Sequence, residues 1–284
     1  MLRHDLRGRR VVITGAARGI GALTARALHA RGARVALLGI EPALLAGVAA
    51  ECGAAPWREC DVRDLEQVQR AVDEVAGDLG GLDVAVANAG IAAQLPLLGG
   101  DPDVFEQTLA VNLLGAYHLV RAAGPHVAHP GGYVLLTASL AAAVHPPLLG
   151  AYAASKAGVE ALGNSLRGEL APTGARVGVA YFSELDTDMT SRGFSTEAAK
   201  RTPLGGHGHL PVAPVGPAID AVVEGIARRR RRVVSPRRVA VILRFRGVAQ
   251  RVVDIVVRRG FARTLEIARA EHPPLTTEQP PRRG

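Results

Sequence analysis

Short apolar runs alternate with longer stretches of helical period as far as about residue 190, and few folds accommodate that pattern. RRVVITG (9–15), ARVALLG (33–39), residues 57–60, LDVAVANAG (82–90), GYVLLTAS (132–139) and ARVGVAYF (175–182) read as strands. Residues 20–30, 42–52, 64–79, 104–123 and 151–171 between them read as helices. Strands apolar on both faces offer nothing to water, so they belong in a parallel sheet covered by helices on each side. The expectation is an α/β chain with a doubly wound parallel sheet in a three-layer α/β/α sandwich. Its 284 residues suffice for one large domain with ample core. Aromatic residues make up only 4% of the chain, so that core is built from Val, Leu, Ala and Ile.

Other classes drop out quickly. Cys52 and Cys60 are too few for a disulfide framework and form no C-x-x-C, which fits a reducing cytoplasm. No run approaches the ~20 apolar residues that cross a bilayer. Arg9-Arg10 before VVIT mimics an export signal, but that run is too short and passes directly into glycines. Charge divides the chain unevenly. Residues 1–227 hold 18 basic and 22 acidic side chains and residues 228–284 hold 16 and 4, giving the net +8. A mildly acidic body therefore carries a strongly basic tail.

TGAARGIG (14–21) follows the first strand and opens the first helix. In that context Gly15 permits a sharp turn, Gly19 lets backbone approach a pyrophosphate, and Gly21 lets helix and strand pack closely. The helix N-terminus adds free N–H groups and a partial positive charge. Further on, AYAASKAG (151–158) sets Tyr152 and Lys156 four apart, hence one turn apart on one helix face. An ammonium there favours phenolate, so Tyr152 is expected to titrate below the usual value of about 10. Ala151, Ala153, Ala154 and Gly158 leave room for a close neighbour.

In this order and spacing the motifs resemble the classical short-chain dehydrogenase/reductase family, over roughly residues 8–230. The resemblance implies a Rossmann-type sheet. It implies a catalytic tetrad of Asn112, Ser139, Tyr152 and Lys156, with Ser139 thirteen residues ahead of Tyr152. Cofactor contacts would come from Gly15, Arg18, Gly19, Ile20 and Gly21, from Tyr152 and Lys156, and from Asp61-Val62 at the adenine. Asn88-Ala89-Gly90 would support the sheet beside the adenosine, and Leu185 and Thr187 would meet the carboxamide and phosphates. No metal is implied, and His207 and His209 read as a solvated H-x-H in a glycine-rich loop.

The implied reaction moves hydride between a nicotinamide and a carbonyl or secondary alcohol. Tyr152 exchanges the proton, Lys156 lowers its pKa and holds the nicotinamide ribose, and Ser139 orients the substrate oxygen. Asn112 holds a water that links Lys156 to solvent. The cofactor is NADP or NAD. Gly39 stands where users of NAD carry an Asp, and Arg18 favours a 2′-phosphate, but Glu41 opposes one, so the balance leans only slightly to NADP. One segment departs from the family: YFSELDTDM (181–189) puts Phe182-Ser183 where Pro-Gly is usual, adding bulk near the nicotinamide. That departure keeps open a non-catalytic dinucleotide-binding sensor or scaffold. Leu140, Val144, Leu148 and Leu149, with His145 at the rim and the loop 188–212, suggest a hydrophobic substrate.

The domain expectation is a catalytic unit over 1–235, including a substrate loop over 188–215. A basic amphipathic helical extension over 236–262 and a partly disordered tail over 263–284 follow. Within 236–260, Val241, Phe245, Val248, Val252 and Val256 form one helix face; Arg244, Gly247, Arg251, Asp254 and Arg258 form the other. Such a helix either packs on this or a partner subunit or lies on an anionic membrane. Nucleic acid is disfavoured because interleaved aromatics and a recognition motif are lacking. A homodimer or homotetramer is expected, in the cytoplasm, with peripheral attachment at the inner membrane face as the variant.

Overall fold

The structure, a computed structural model, describes residues 5–187, 189, 196–202, 211–258, 261–271, 273 and 275–280. Seven parallel strands form one sheet: β1 (Arg10–Thr14), β2 (Arg34–Gly39), β3 (Trp57–Glu59), β4 (Val84–Ala87), β5 (Tyr133–Thr137), β6 (Arg176–Phe182) and β7 (Arg232–Ser235). Their order is β3-β2-β1-β4-β5-β6-β7. The period-2 geometry of strands sorts the core into two layers. Val12, Leu38, Ala85, Leu136 and Val179 face α3 (Leu65–Leu79), α5 (Gly115–Val127) and α6 (Gly150–Leu170). Ile13, Leu37, Val86, Leu135 and Ala180 face α1 (Gly19–His29), α2 (Pro42–Glu51) and α8 (Val215–Ala227). A short α4 (Pro102–Leu109) and the four-residue α7 (Glu197–Lys200) complete the set before the basic segment.

The expected three-layer parallel α/β sandwich is the one observed, with differences at its end. The long helix expected over 104–123 is α4 and α5 joined by one π-helical turn, Ala110–Leu114. The run RRRRR (228–232) lies at the end of the unit expected over 1–235. It leads into β7, which pairs with β6 from Val179↔Arg232 to Phe182↔Ser235. The single amphipathic helix expected over 236–260 is broken at Phe245 into α9 (Arg238–Arg244) and α10 (Arg246–Arg258). A further helix, α11 (Phe261–Ala270), stands in the segment read as tail. Val239 and Leu243 bury into the main core, which fastens α9 to the sheet domain. Arg246 pairs bidentately with Glu160 of α6 at 2.8 and 3.2 Å, and Gln250 accepts from the His145 N–H at 2.7 Å.

The apolar face of this extension does not pack on its own subunit. Val241, Phe245, Val248, Val252 and Ile255 are all more than half exposed. Ile255 joins that row, while the expected Val256 is only partly exposed. None of the described helices is long and apolar enough to cross a membrane.

Candidate active site

The strand order reverses between β1 and β4, and a cleft of about 550 Å³ opens at the carboxyl ends of these strands. The glycine turn forms its floor. Gly15 has φ +64°, and a Cβ there would stand 2.7 Å from the Ala89 Cα. A Cβ on Gly21 would reach 2.2 Å from the Gly15 carbonyl oxygen. Gly19 differs: its φ is +55°, yet a Cβ would meet nothing within 4 Å, because it borders the open cleft. Helix α1 begins there with no side chain capping its first turn, so its amides remain suited to an anion. This cradle fits the pyrophosphate of a dinucleotide. Asn88 braces it by donating from Nδ2 to the Thr14 and Gly15 carbonyls at 3.1 and 3.2 Å, while its own N–H reaches the Thr14 hydroxyl.

At one end of the cleft lie Gly39, Ile40, Glu41, Asp61, Val62, Asn88 and Ala89, as an adenosine subsite requires. Arg18 is paired with Glu41 through two hydrogen bonds, one of 2.8 Å from Nε. Asp61 is held by Arg63, whose Nη2 stands 2.6 Å from Oδ2 and whose main-chain N–H donates to Oδ1 at 2.9 Å. Arg63 Nε is a third donor, bridging Oδ1 and Oδ2 at 3.0 and 2.9 Å. A carboxylate has about four acceptor sites, so one remains for an adenine amine.

At the other end α6 carries Tyr152 and Lys156, the end of β5 supplies Ser139, and Leu185 and Thr187 follow β6. The Ser139 hydroxyl hydrogen-bonds the Tyr152 phenol and lies 3.4 Å from the Phe182 carbonyl. Lys156 is buried, donates to the Thr137 carbonyl at 2.9 Å, and stands 5.6 Å from the centre of the Tyr152 ring. Asn112 sits buried in the π-helical turn. Its amide donates to the Ile91 carbonyl at 2.9 Å and the Ser155 hydroxyl at 3.0 Å, and its oxygen accepts from Ile91 N–H at 2.8 Å. That side chain therefore fixes the strand end after Gly90.

Electrostatics correct one expectation. Lys156 does not hold the Tyr152 phenol below its usual range. Burial pushes that phenol up, its bond to Ser139 opposes this, and the nearby charge of Glu184 adds to the rise. Burial also draws Lys156 down to about 8. Desolvation disfavours charge on each group and is the largest influence on both.

The Phe182-Ser183 departure is accommodated. Ser183 is absent from the non-glycine residues with positive φ, so no glycine backbone is needed there. Phe182 ends β6 with its ring in the core and its edge on the cleft. His145 is exposed, and the lining of its loop comes from Val144 and Pro146 instead. His207, His209 and much of the loop over 188–215 lie outside the described residues.

Several lining residues had no sequence signal. Glu184 lies beside Tyr152 and burial raises its carboxyl to about 7. Thr276, Thr277 and Gln279 of the basic tail line the same cavity, as do Ile242, Val252 and Val253 of the extension. The cleft thus joins a dinucleotide cradle to a Ser-Tyr-Lys cluster able to orient an oxygen and exchange its proton.

Known proteins agree. A short chain dehydrogenase family model matches residues 9–198. A probable galactose dehydrogenase of Rhizobium meliloti (strain 1021) is 35% identical over 199 residues, 68% of this chain and 78% of the relative. The (-)-trans-carveol dehydrogenase of Rhodococcus erythropolis is 35% identical over 203 residues, 64% of this chain and 73% of that protein. Among solved structures, a dehydrogenase/reductase from Sinorhizobium meliloti 1021 superposes with a TM-score of 0.69 at 28% identity, over 78% of this chain and 90% of that one. With the family pattern spanning strands β1 to β6, the cradle and the Ser-Tyr-Lys cluster, this chain belongs to the short-chain dehydrogenases and is an NAD(P)-dependent oxidoreductase.

Proposed function

We propose that the chain interconverts a hydrophobic secondary alcohol and its ketone, with Tyr152 as the proton-exchanging group. The observation that carries this reading is the joining of Ser139 to Tyr152 beside buried Lys156, at the mouth of one continuous cleft. A bound nicotinamide supplies or accepts the hydride. Tyr152 gives its proton to the forming alkoxide in reduction and removes it in oxidation. Ser139 holds the substrate oxygen, and Lys156, next to Gly90, faces the nicotinamide ribose. Asn112 keeps the Gly90–Ile91 turn in place for that contact. Leu185 and Thr187 close over the carboxamide and phosphates. Positioning and proton transfer together account for the rate, proton transfer typically giving about 10²–10⁴-fold.

Leu140, Val144, Pro146, Leu149, Ile242 and Val252 make the substrate end apolar, which favours a body like that of the carveol relative's substrate over a bare sugar. NADP is the preferred cofactor by a small margin: Gly39 removes the acid that grips ribose hydroxyls, while Glu41 offsets the charge of Arg18. A panel of apolar and polyhydroxylated alcohols and ketones, read at the nicotinamide absorbance with both cofactors, tests all of this. Turnover confined to sugars, or none with any alcohol, overturns it.

A second reading concerns location. The exposed row from Val241 to Ile255, flanked by exposed Arg244, Arg251 and Arg258, matches an anionic bilayer surface and opens beside the substrate end. Sedimentation with anionic but not neutral vesicles, lost in Val248→Glu/Val252→Glu, is the expected result. Exposed Leu114, which ends the π-helical turn, and exposed Tyr117 on α5 are the candidate contacts of a dimer or tetramer, which light scattering would count.

A further inference from the structure

The segment 275–280 runs across the adenosine end of the cleft and is tied down at both of its ends. At one end Thr276 is buried and doubly bonded to Ala92: its N–H donates to the Ala92 carbonyl at 3.1 Å, and its hydroxyl accepts from the Ala92 N–H at 3.0 Å. Leu275 packs on the main core beside it. At the other end the Pro280 carbonyl accepts from Arg63 Nη2 at 2.6 Å. The same Arg63 Nη2 also stands 2.6 Å from Asp61 Oδ2. Between these ties Thr276, Thr277 and Gln279 line the cavity together with Asp61 and Val62.

These contacts are unlike those of a loose terminus. The Arg63 side chain is only 7% exposed, so the segment and Asp61 together remove a guanidinium from water. Buried cations persist where their donors are satisfied, and here a carboxylate and a carbonyl of the tail satisfy them. Ala92 lies two residues past Gly90, and Asp61 is the adenine-side acid, so the two ties bracket the adenosine subsite.

We propose that segment 275–280 is a strap forming the outer wall of the adenosine subsite, with Arg63 as its latch, and that it slows release of the dinucleotide. The proposal rests on the dehydrogenase reading above. Arg63 is a positioning residue: it holds the strap and Asp61, and Asp61 meets the adenine. A strap anchored on protein rather than on ligand opens and closes without surrendering the cradle, so its main effect falls on the dissociation rate.

The test uses the full chain, with Thr276→Val to remove the hydroxyl acceptor at constant shape and Arg63→Gln to release the latch. NADPH release is followed by stopped-flow fluorescence, and hydrogen exchange of 275–280 is measured with and without AMP. The expected results are dissociation about ten-fold faster in both variants, and slower exchange across the strap when AMP is added to the wild type. Unchanged dissociation in both folded variants overturns the strap while leaving the dehydrogenase reading intact. Tighter NADPH binding in the variants also overturns it, because the segment would then be competing with adenosine. Absence of binding of both NADPH and NADH in the wild type overturns both.

Discussion

The Lys156 ammonium stands 5.6 Å from the centre of the Tyr152 ring and donates to the Thr137 carbonyl at 2.9 Å. Two residues one helical turn apart thus serve different ends: the phenol meets Ser139, and the ammonium sits against the backbone near Gly90. Tyr152→Phe removes the exchangeable proton together with the bond to Ser139 and leaves the ring in place, so kcat should fall by at least about 10²-fold. The Kd for NADPH should stay within about three-fold of the wild type. Lys156→Met should raise that Kd as well as lower kcat. Steady-state rates together with fluorescence titration separate the two patterns, and equal effects on Kd would refute the division of labour.

Glu184 sets the pH response of the phenol. Burial raises its carboxyl to about 7, and its charge raises Tyr152. Above neutrality the ionised carboxylate therefore makes Tyr152 harder to deprotonate, and Glu184→Gln should move the rising limb of the oxidation profile to lower pH. Stability follows with a definite sign. A carboxyl raised from its ordinary 4.5 contributes stability below that value and loses it as pH rises through about 7. Glu184→Gln should consequently melt higher than the wild type at pH ~8, by about 2 °C or more, and show no such gain at pH ~5. Calorimetry at the two pH values checks this; a gain of equal size at both would exclude titration as its source.

Gly19 and Gly21 separate binding from folding. A Cβ at Gly21 collides with the Gly15 carbonyl oxygen and the Asn88 amide, at 2.2 and 2.7 Å. Backbone cannot yield as a flexible side chain does, so Gly21→Ala should destabilise the protein by roughly 2 kcal/mol or more. Gly19→Ala meets open space and pays only for its left-handed φ, about 1–2 kcal/mol. It nevertheless places a methyl in the cradle, so NADPH affinity should fall at least about ten-fold. Urea melts and NADPH titrations of the two variants provide the comparison.

What the sequence disclosed follows the length scale of the interactions involved. Strands β1, β2, β4, β5 and β6 are local apolar runs, and the glycine turn and the Tyr152–Lys156 pair are local spacings, so all were legible. Strand β7 was not, because only Val233 and Val234 of RVVS are apolar and five arginines precede or enter it. It forms because β6 offers a free edge, which is a property of the sheet. The break at Phe245 was likewise hidden, since α9 turns inward to bury Val239 and Leu243. The pKa of Tyr152 went the other way because desolvation depends on everything packed around the ring. Arg63 and Thr276 are far apart in the chain and ordinary in composition; only the folded cleft shows that they serve one wall.

The pairing of Arg18 with Glu41 makes cofactor choice a balance of two adjacent charges. Arg18 Nε lies 2.8 Å from Glu41 Oε2, both side chains are about one-quarter exposed, and Gly39 contributes no acid. A 2′-phosphate must draw the guanidinium from the carboxylate and tolerate the carboxylate nearby, whereas a 2′-hydroxyl can donate to Glu41 with the pair intact. These costs offset most of the attraction between Arg18 and a 2′-phosphate, so kcat/KM for NADP should exceed that for NAD by less than about ten-fold. Glu41→Gln frees Arg18 and removes the repulsion, raising the NADP preference by about ten-fold or more. Arg18→Ala should reverse it in favour of NAD. The effect of Glu41→Gln should shrink as salt rises, since partly exposed charges are screened over about 10 Å at 0.1 M. Ratios of kcat/KM for the two cofactors at low and high salt decide the matter: an NADP preference unmoved by either substitution would place the discriminating contact elsewhere.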